Sequence, residues 1–190
     1  MKLDMLSKLS VFAILVFPLV VITSCKKTDT LVQVNVPLQM AQISYTIPMN
    51  QSSIDTTISV YCNVDSIIRT AAANTYSFNI SNIKSVTATS ANTILTGTTD
   101  AADNFGNLTS LSVAISSTSD TAATMFAQVT NNPGTFATNL NIPVNTSVNL
   151  KTYFDATLFN LTFRSILTVP TTIALQAQAT IQFNIVVGPN

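Results

Sequence analysis

From Ile173 to Val187 every second residue is apolar: Ile173, Leu175, Ala177, Ala179, Ile181, Phe183, Ile185 and Val187 share one parity. The residues between them are mostly Gln, Thr and Asn. A period of two cannot lie on one side of a helix, where apolar positions recur every three or four residues. The segment therefore predicts a single long strand over Ile173–Val187, with one buried face and one wet face.

The same period recurs upstream. Val32, Val34, Val36, Leu38 and Met40 hold one parity, and the apolar parity then switches to Ile43, Tyr45 and Ile47. A one-residue slip turns a strand over, so the switch predicts a bulge, bend or turn. Pro37 suits an edge position. Ile54–Val64 predicts a second strand. Val64–Arg69 is the best short helix, with Asn63 or Asp65 able to cap it. Tyr76, Phe78 and Ile80 alternate and are expected to run on into Ile83–Thr89. After a polar loop over Thr96–Asn107, strands are expected at Leu111–Ile115, Met125–Thr130, Leu140–Val144 and Phe159–Phe163. A turn falls at Asn131-Asn132-Pro133-Gly134, and a second helical turn at Asn149–Phe154. The expectation is all-β: two antiparallel sheets packed as a sandwich, with one or two short helical turns. A closed β-barrel is the alternative.

Composition narrows the functions. Charged residues make up 8% of the chain and the formal net charge is zero. There is no His and no Trp, and every acidic residue is Asp. No basic stripe exists to neutralise phosphates, so nucleic acid is not an expected partner. General acid–base catalysis draws on His or a tuned Glu, and neither is present. Cys62 falls on the apolar parity of its strand and is expected to be a structural thiol, since no His stands by to activate it. No enzyme is expected, and no cofactor.

The N-terminus reads as an address. Lys2 and Lys8 give a short positive region, and Leu9–Ile22 is apolar except for Ser10 and Pro18. As a helix this run reaches about 21 Å, short of the ~30 Å hydrocarbon core. A signal segment is expected rather than a transmembrane helix. The run ends in Ile22-Thr23-Ser24-Cys25, which resembles the lipobox of bacterial lipoproteins. That resemblance implies cleavage between Ser24 and Cys25 and a lipid on the Cys25 thiol. The expected layout is a signal peptide over 1–24, a polar tether over 25–30 and one β domain over 31–190. The membrane is then a partner through acyl chains on Cys25, since two or three buried chains hold a protein without help from its fold. With Cys25 acylated, Cys62 has no disulfide partner.

Taken together, the lipobox, Ser24-Cys25-Lys26-Lys27, the strand Val34-Asn35-Val36-Pro37 and the segment Val148-Asn149-Leu150-Lys151-Thr152-Tyr153-Phe154 resemble small Bacteroidota lipoproteins. The resemblance implies an immunoglobulin-like sandwich and an outer-membrane location, on the periplasmic face or the cell surface. It carries no activity and no functional residue.

Two further sets of residues stand out. Asp100 and Asp103, in Asp100-Ala101-Ala102-Asp103-Asn104-Phe105-Gly106-Asn107, gather oxygen ligands in one loop. The spacing is not that of a calcium loop, and no Glu closes it, so they are weak metal candidates. Asp-Ser/Thr followed by an aliphatic residue or Thr resembles an O-glycosylation site of exported Bacteroidota proteins. It places candidate sites at Thr30, Thr56, Ser66 and Thr121. The function expected is a lipid-anchored interaction or structural module with an envelope protein partner. One version adds the long C-terminal strand to a neighbour's sheet. The alternative is binding of a glycan or an apolar ligand, the latter between the sheets.

Overall fold

In the computed structural model, residues 32–72, 77–97 and 99–190 are described, and Val32–Asn190 make up one compact unit. Among the described residues eight strands form: β1 Val34–Ile47, β2 Ser53–Tyr61, β3 Ile83–Leu95, β4 Leu108–Ser117, β5 Thr124–Val129, β6 Asn139–Asn141, β7 Leu158–Leu167 and β8 Leu175–Val187. One helix, α1 Val64–Ala72, follows β2. Two four-stranded antiparallel sheets face each other, in the orders β1-β8-β3-β6 and β2-β7-β4-β5. No barrel closes, so the sandwich expected from the sequence is what forms.

The strand order corrects one detail. An immunoglobulin sandwich places its first, second, fifth and fourth strands side by side. Here successive strands mostly alternate between the sheets, and the last strand lies between the first and the third. That is the double Greek key of a jelly roll. Local alternation reports which face of a strand is buried and says nothing about its neighbour, so the order was not readable from it.

β8 is the clearest link from sequence to core. Its inward row, Leu175 to Val187, is 0–2% exposed, and its Gln, Thr and Asn residues face out. Ile173 stays outside the strand and 37% exposed, because Thr172 before it is tied down by Asp103. Both sides of β8 are paired, to β1 and to β3. It has no free edge for strand addition, which overturns that version of the partner expectation. Deleting its second half would remove the middle of a sheet.

The parity switch in β1 is a bulge between Met40 and Ile43, where Gln42 takes a positive φ of 59°. Pro37 lies in an edge strand, where a missing N–H is tolerated. In α1, Val64, Ile68 and Ala72 recur at four-residue spacing and are all buried. Asn63 caps the helix by accepting the Ser66 N–H at 3.0 Å. Lys151–Tyr153 forms a 3-10 turn within the segment expected to be helical.

Three strand expectations shorten or fail. Tyr76 lies outside the described residues. Phe78 is buried but not in a strand, and Ile80–Asn82 is a 3-10 turn. Asn79 and Asn82 cause it, since each side chain accepts the other's backbone N–H. The Leu140–Val144 segment keeps only two strand residues, Leu140 and Asn141 of β6, because Pro143 has no N–H to continue the ladder. Beyond it the chain crosses to the other sheet and bonds along β5. Cys62 follows the end of β2 and is half-buried against the core, where burial pushes its thiol pKa up.

Aromatic rings fill the space between the sheets. Tyr45 stacks on Phe163 across the layer at 4.4 Å. Phe183 meets Phe126 and Phe154, at 5.7 and 5.2 Å. Phe154 also packs on Phe159. Such pairs add to the area they bury.

Candidate functional site

One end of the sandwich gathers the loop residues singled out from the sequence. Asp100 accepts the backbone N–H groups of Ala102 and Asp103 at 2.8 and 2.9 Å. Asp103 is fully enclosed and accepts both the backbone N–H and the hydroxyl of Thr172. The Thr172 hydroxyl holds its carboxyl below the usual range, against the effect of burial and helped by the Thr172 and Ile173 N–H groups. Asn104 accepts from Gly106 and Ala137 and donates to the carbonyls of Asp100 and Ala101. Asn107 donates to Ala102 and Val169.

These bonds define the role of the cluster. It joins the β3–β4 crossover to the segment entering β8, and so clamps two passages between the sheets. Gly106 is needed there, since a Cβ would lie 2.5 Å from the Thr135 carbonyl oxygen. The carboxylates of Asp100 and Asp103 are engaged with donors of the chain itself. Among the described residues, no group of three acidic, Cys or His side chains is placed to hold a metal. The clamp could have been suspected from the density of Asp and Asn, which favour local bonds to backbone. Beside it, Phe136 and Val169 are 59% and 58% exposed and line a shallow open depression.

The outer faces of the two sheets differ. On the β1-β8-β3-β6 sheet the outward side chains are mostly amides and hydroxyls, with Ile94, Pro37 and Val186 among them. Asn184 donates to Asn35, Thr46 to Gln176, and Asn92 to both Asn139 and Asn141. Lys84, at the bulged start of β3, is the charge at its border. The face of the β2-β7-β4-β5 sheet carries an ion pair, Asp55–Arg164 at 2.9 Å. Beside it are a Thr57–Thr162 hydroxyl contact and the bond from Ser59 to Asn160. Tyr61, Ile166 and Met125 stand exposed.

The remaining candidates separate by position. Ser24, Cys25 and Thr30 lie outside the described residues. Ser66 is exposed on the first turn of α1, and Thr121 is exposed just before β5. Thr56 is half-buried on the inward row of β2. Asp65, next to Ser66, pairs with Arg69 and accepts the Ile80 N–H, and both lower its pKa, Arg69 the more. No helix among the described residues is long and apolar enough to cross a membrane.

The fold and these surfaces define a jelly-roll sandwich whose loop-end polar groups hold the architecture together. No family model matches the sequence, and no curated protein matches it. Among solved structures it is similar to a chain from Desmodium yellow mottle tymovirus. The two share 14% identity over 83% of this chain and 90% of that one, with a TM-score of 0.25.

Proposed function

We propose that the chain is a non-catalytic envelope protein, an interaction or structural module held at a bacterial outer membrane by acyl chains on Cys25. The observation that carries this reading is Ile22-Thr23-Ser24-Cys25 standing directly behind the apolar run Leu9–Ile22. Small residues let a peptidase grip the chain next to its backbone, and the thiol takes the lipid. In support, the conspicuous carboxylates of the domain serve structure: Asp100 and Asp103 in the loop clamp, Asp55 and Asp65 in ion pairs. The test is Cys25→Ser in a lipoprotein-processing host. The variant is expected to keep residues 1–24, to incorporate no labelled fatty acid and to be lost from the outer-membrane fraction. A variant still processed and still membrane-bound would sink the reading. Intact mass of the native protein checks glycosylation at Thr30, Thr56, Ser66 or Thr121 in the same material.

One observation favours a second reading, binding of an uncharged glycan. The amide and hydroxyl rows on the outer face of β1 and β8 offer donors and acceptors without net charge. Titration with neutral polysaccharides, monitored by amide resonances of Gln178, Gln182 and Asn184, tests it. Unmoved resonances would end it.

A further inference from the structure

A sheet edge left open invites another strand, and natural sandwiches blunt their edges. This one blunts three of four. β1 carries Pro37 and the bulge at Gln42. β6 is three residues long. β5 is covered by its own chain: Gln128 donates to the Pro143 carbonyl, Asn145 donates to the Phe126 carbonyl, and Ala127 bridges to Val144. β2 has none of these devices over its nine residues, neither proline nor bulge nor lysine.

The direction of the free groups on β2 follows from its ends. The Ser52 carbonyl and the Cys62 N–H both bond toward β7. Even-numbered residues of β2 therefore serve β7, and Ser53, Asp55, Thr57, Ser59 and Tyr61 turn their N–H and C=O groups away from it. No partner for those groups exists among the described residues. The inward row points the same way. Ile58 and Val60 are only half-buried, whereas Phe159, Leu161 and Phe163 of the adjacent β7 are 0–1% exposed.

We propose that β2 pairs antiparallel with β2 of a second copy, about a two-fold axis at Thr57, joining two sheets edge to edge. The strand Ser-Ile-Asp-Thr-Thr-Ile-Ser-Val-Tyr is complementary to itself in that register. Ile54 faces the partner's Val60 and Thr56 faces the partner's Ile58, so each copy covers the half-buried Ile58 and Val60 of the other. Asp55 faces the partner's Ser59, a small uncharged side chain, and the two Asp55 carboxylates stay apart. The outward-turned residues supply about ten backbone hydrogen bonds. An isologous contact of this kind closes at two copies. The pairing rests on the edge and needs no lipid anchor.

Full-length protein in mild detergent supplies the test, by sedimentation and by cross-linking under oxidation. The unsubstituted chain is expected to sediment as a dimer. Thr57→Pro removes a backbone N–H that β7 does not use, together with the Thr57–Thr162 hydroxyl contact, and should give a folded monomer with an unchanged near-ultraviolet spectrum. Thr57→Cys places two thiols on the axis, about 5.5 Å apart at Cα, and should give a disulfide-linked dimer. Asp55→Cys should not. Sedimentation of the unsubstituted chain as a monomer at every concentration overturns the proposal. So does cross-linking as ready at position 55 as at 57, or a dimer that survives Thr57→Pro.

Discussion

Two interior strands, one from each sheet, β8 and β7, do the same work on one side and different work on the other. Inward, Phe183 of β8 and Phe163 of β7 are each 1% exposed and each enters a ring contact across the layer. Outward, β8 presents Gln, Thr and Asn with Val186 at its end, while β7 presents Leu158, Asn160, Thr162, Arg164 and Ile166. Packing constrains the inner rows to similar chemistry, because both must fill one interior at close density. Nothing in the packing of the interior constrains the outer rows, so they are free to diverge.

The largest effect should come from breaking the shared side. Phe183→Ala and Phe163→Ala should each cost about 3–5 kcal/mol, read as a lower urea midpoint at unchanged slope. If the rows are equivalent, the two losses both fall in that range and differ by no more than about 2 kcal/mol. A Phe163 loss far below that of Phe183 would mean the β7 side is loosely packed, and the equivalence would fail.

A smaller effect sharpens the inner side with a charge. The Tyr45 hydroxyl is buried between the sheets and contacts the Thr93 hydroxyl at 2.9 Å. Burial pushes its pKa from 10.0 up to about 12, against the lowering effect of that hydrogen bond. Above pH 10 the unfolded chain gives up this proton while the folded chain keeps it. The contribution is therefore whole below pH 10 and falls as pH rises toward 12, by about 2–3 kcal/mol. Denaturant unfolding at pH 9, 10 and 11 should show the decline, and Tyr45→Phe should flatten it. A decline of equal depth in Tyr45→Phe would place its source elsewhere.

The same contrast explains what could be read before the fold was known. β8 was legible because one face is dry and the other wet, which is the condition for a clean period of two. The bulge in β1 was legible as a broken parity, and the cap at Asn63 as a residue type in its usual place. The strand order was closed to inspection, because the pairing of β8 with β1 joins residues far apart in the chain. Phe78–Ile80 misled because alternation also arises by chance, and the Asn79–Asn82 cap that overrides it spans only four residues. The loop clamp was half legible. Asp100 and Asp103 stood out as oxygen ligands, but their acceptors' true partners, Thr172 above all, lie near the far end of the sequence.

The smallest effect belongs to the outer side. The Asp55 and Arg164 side chains pair at 2.9 Å but are 59% and 60% exposed. Water screens such a pair, and two ordered side chains lose rotamer freedom to form it. A double-mutant cycle with Asp55→Asn and Arg164→Gln should give a coupling of about 0.2–1 kcal/mol. Since 1 M salt shortens the screening length to about 3 Å, the coupling should shrink there. The cycle belongs in the Thr57→Pro background, because in a β2-paired dimer Asp55 also faces the partner's Ser59 and the two contributions would mix. A coupling well above 1 kcal/mol in the monomer would mean that the outer face of β7 stabilises the fold as its inner face does. The outer rows would then not be free of structural constraint, and the division between the two sides of these strands would be lost.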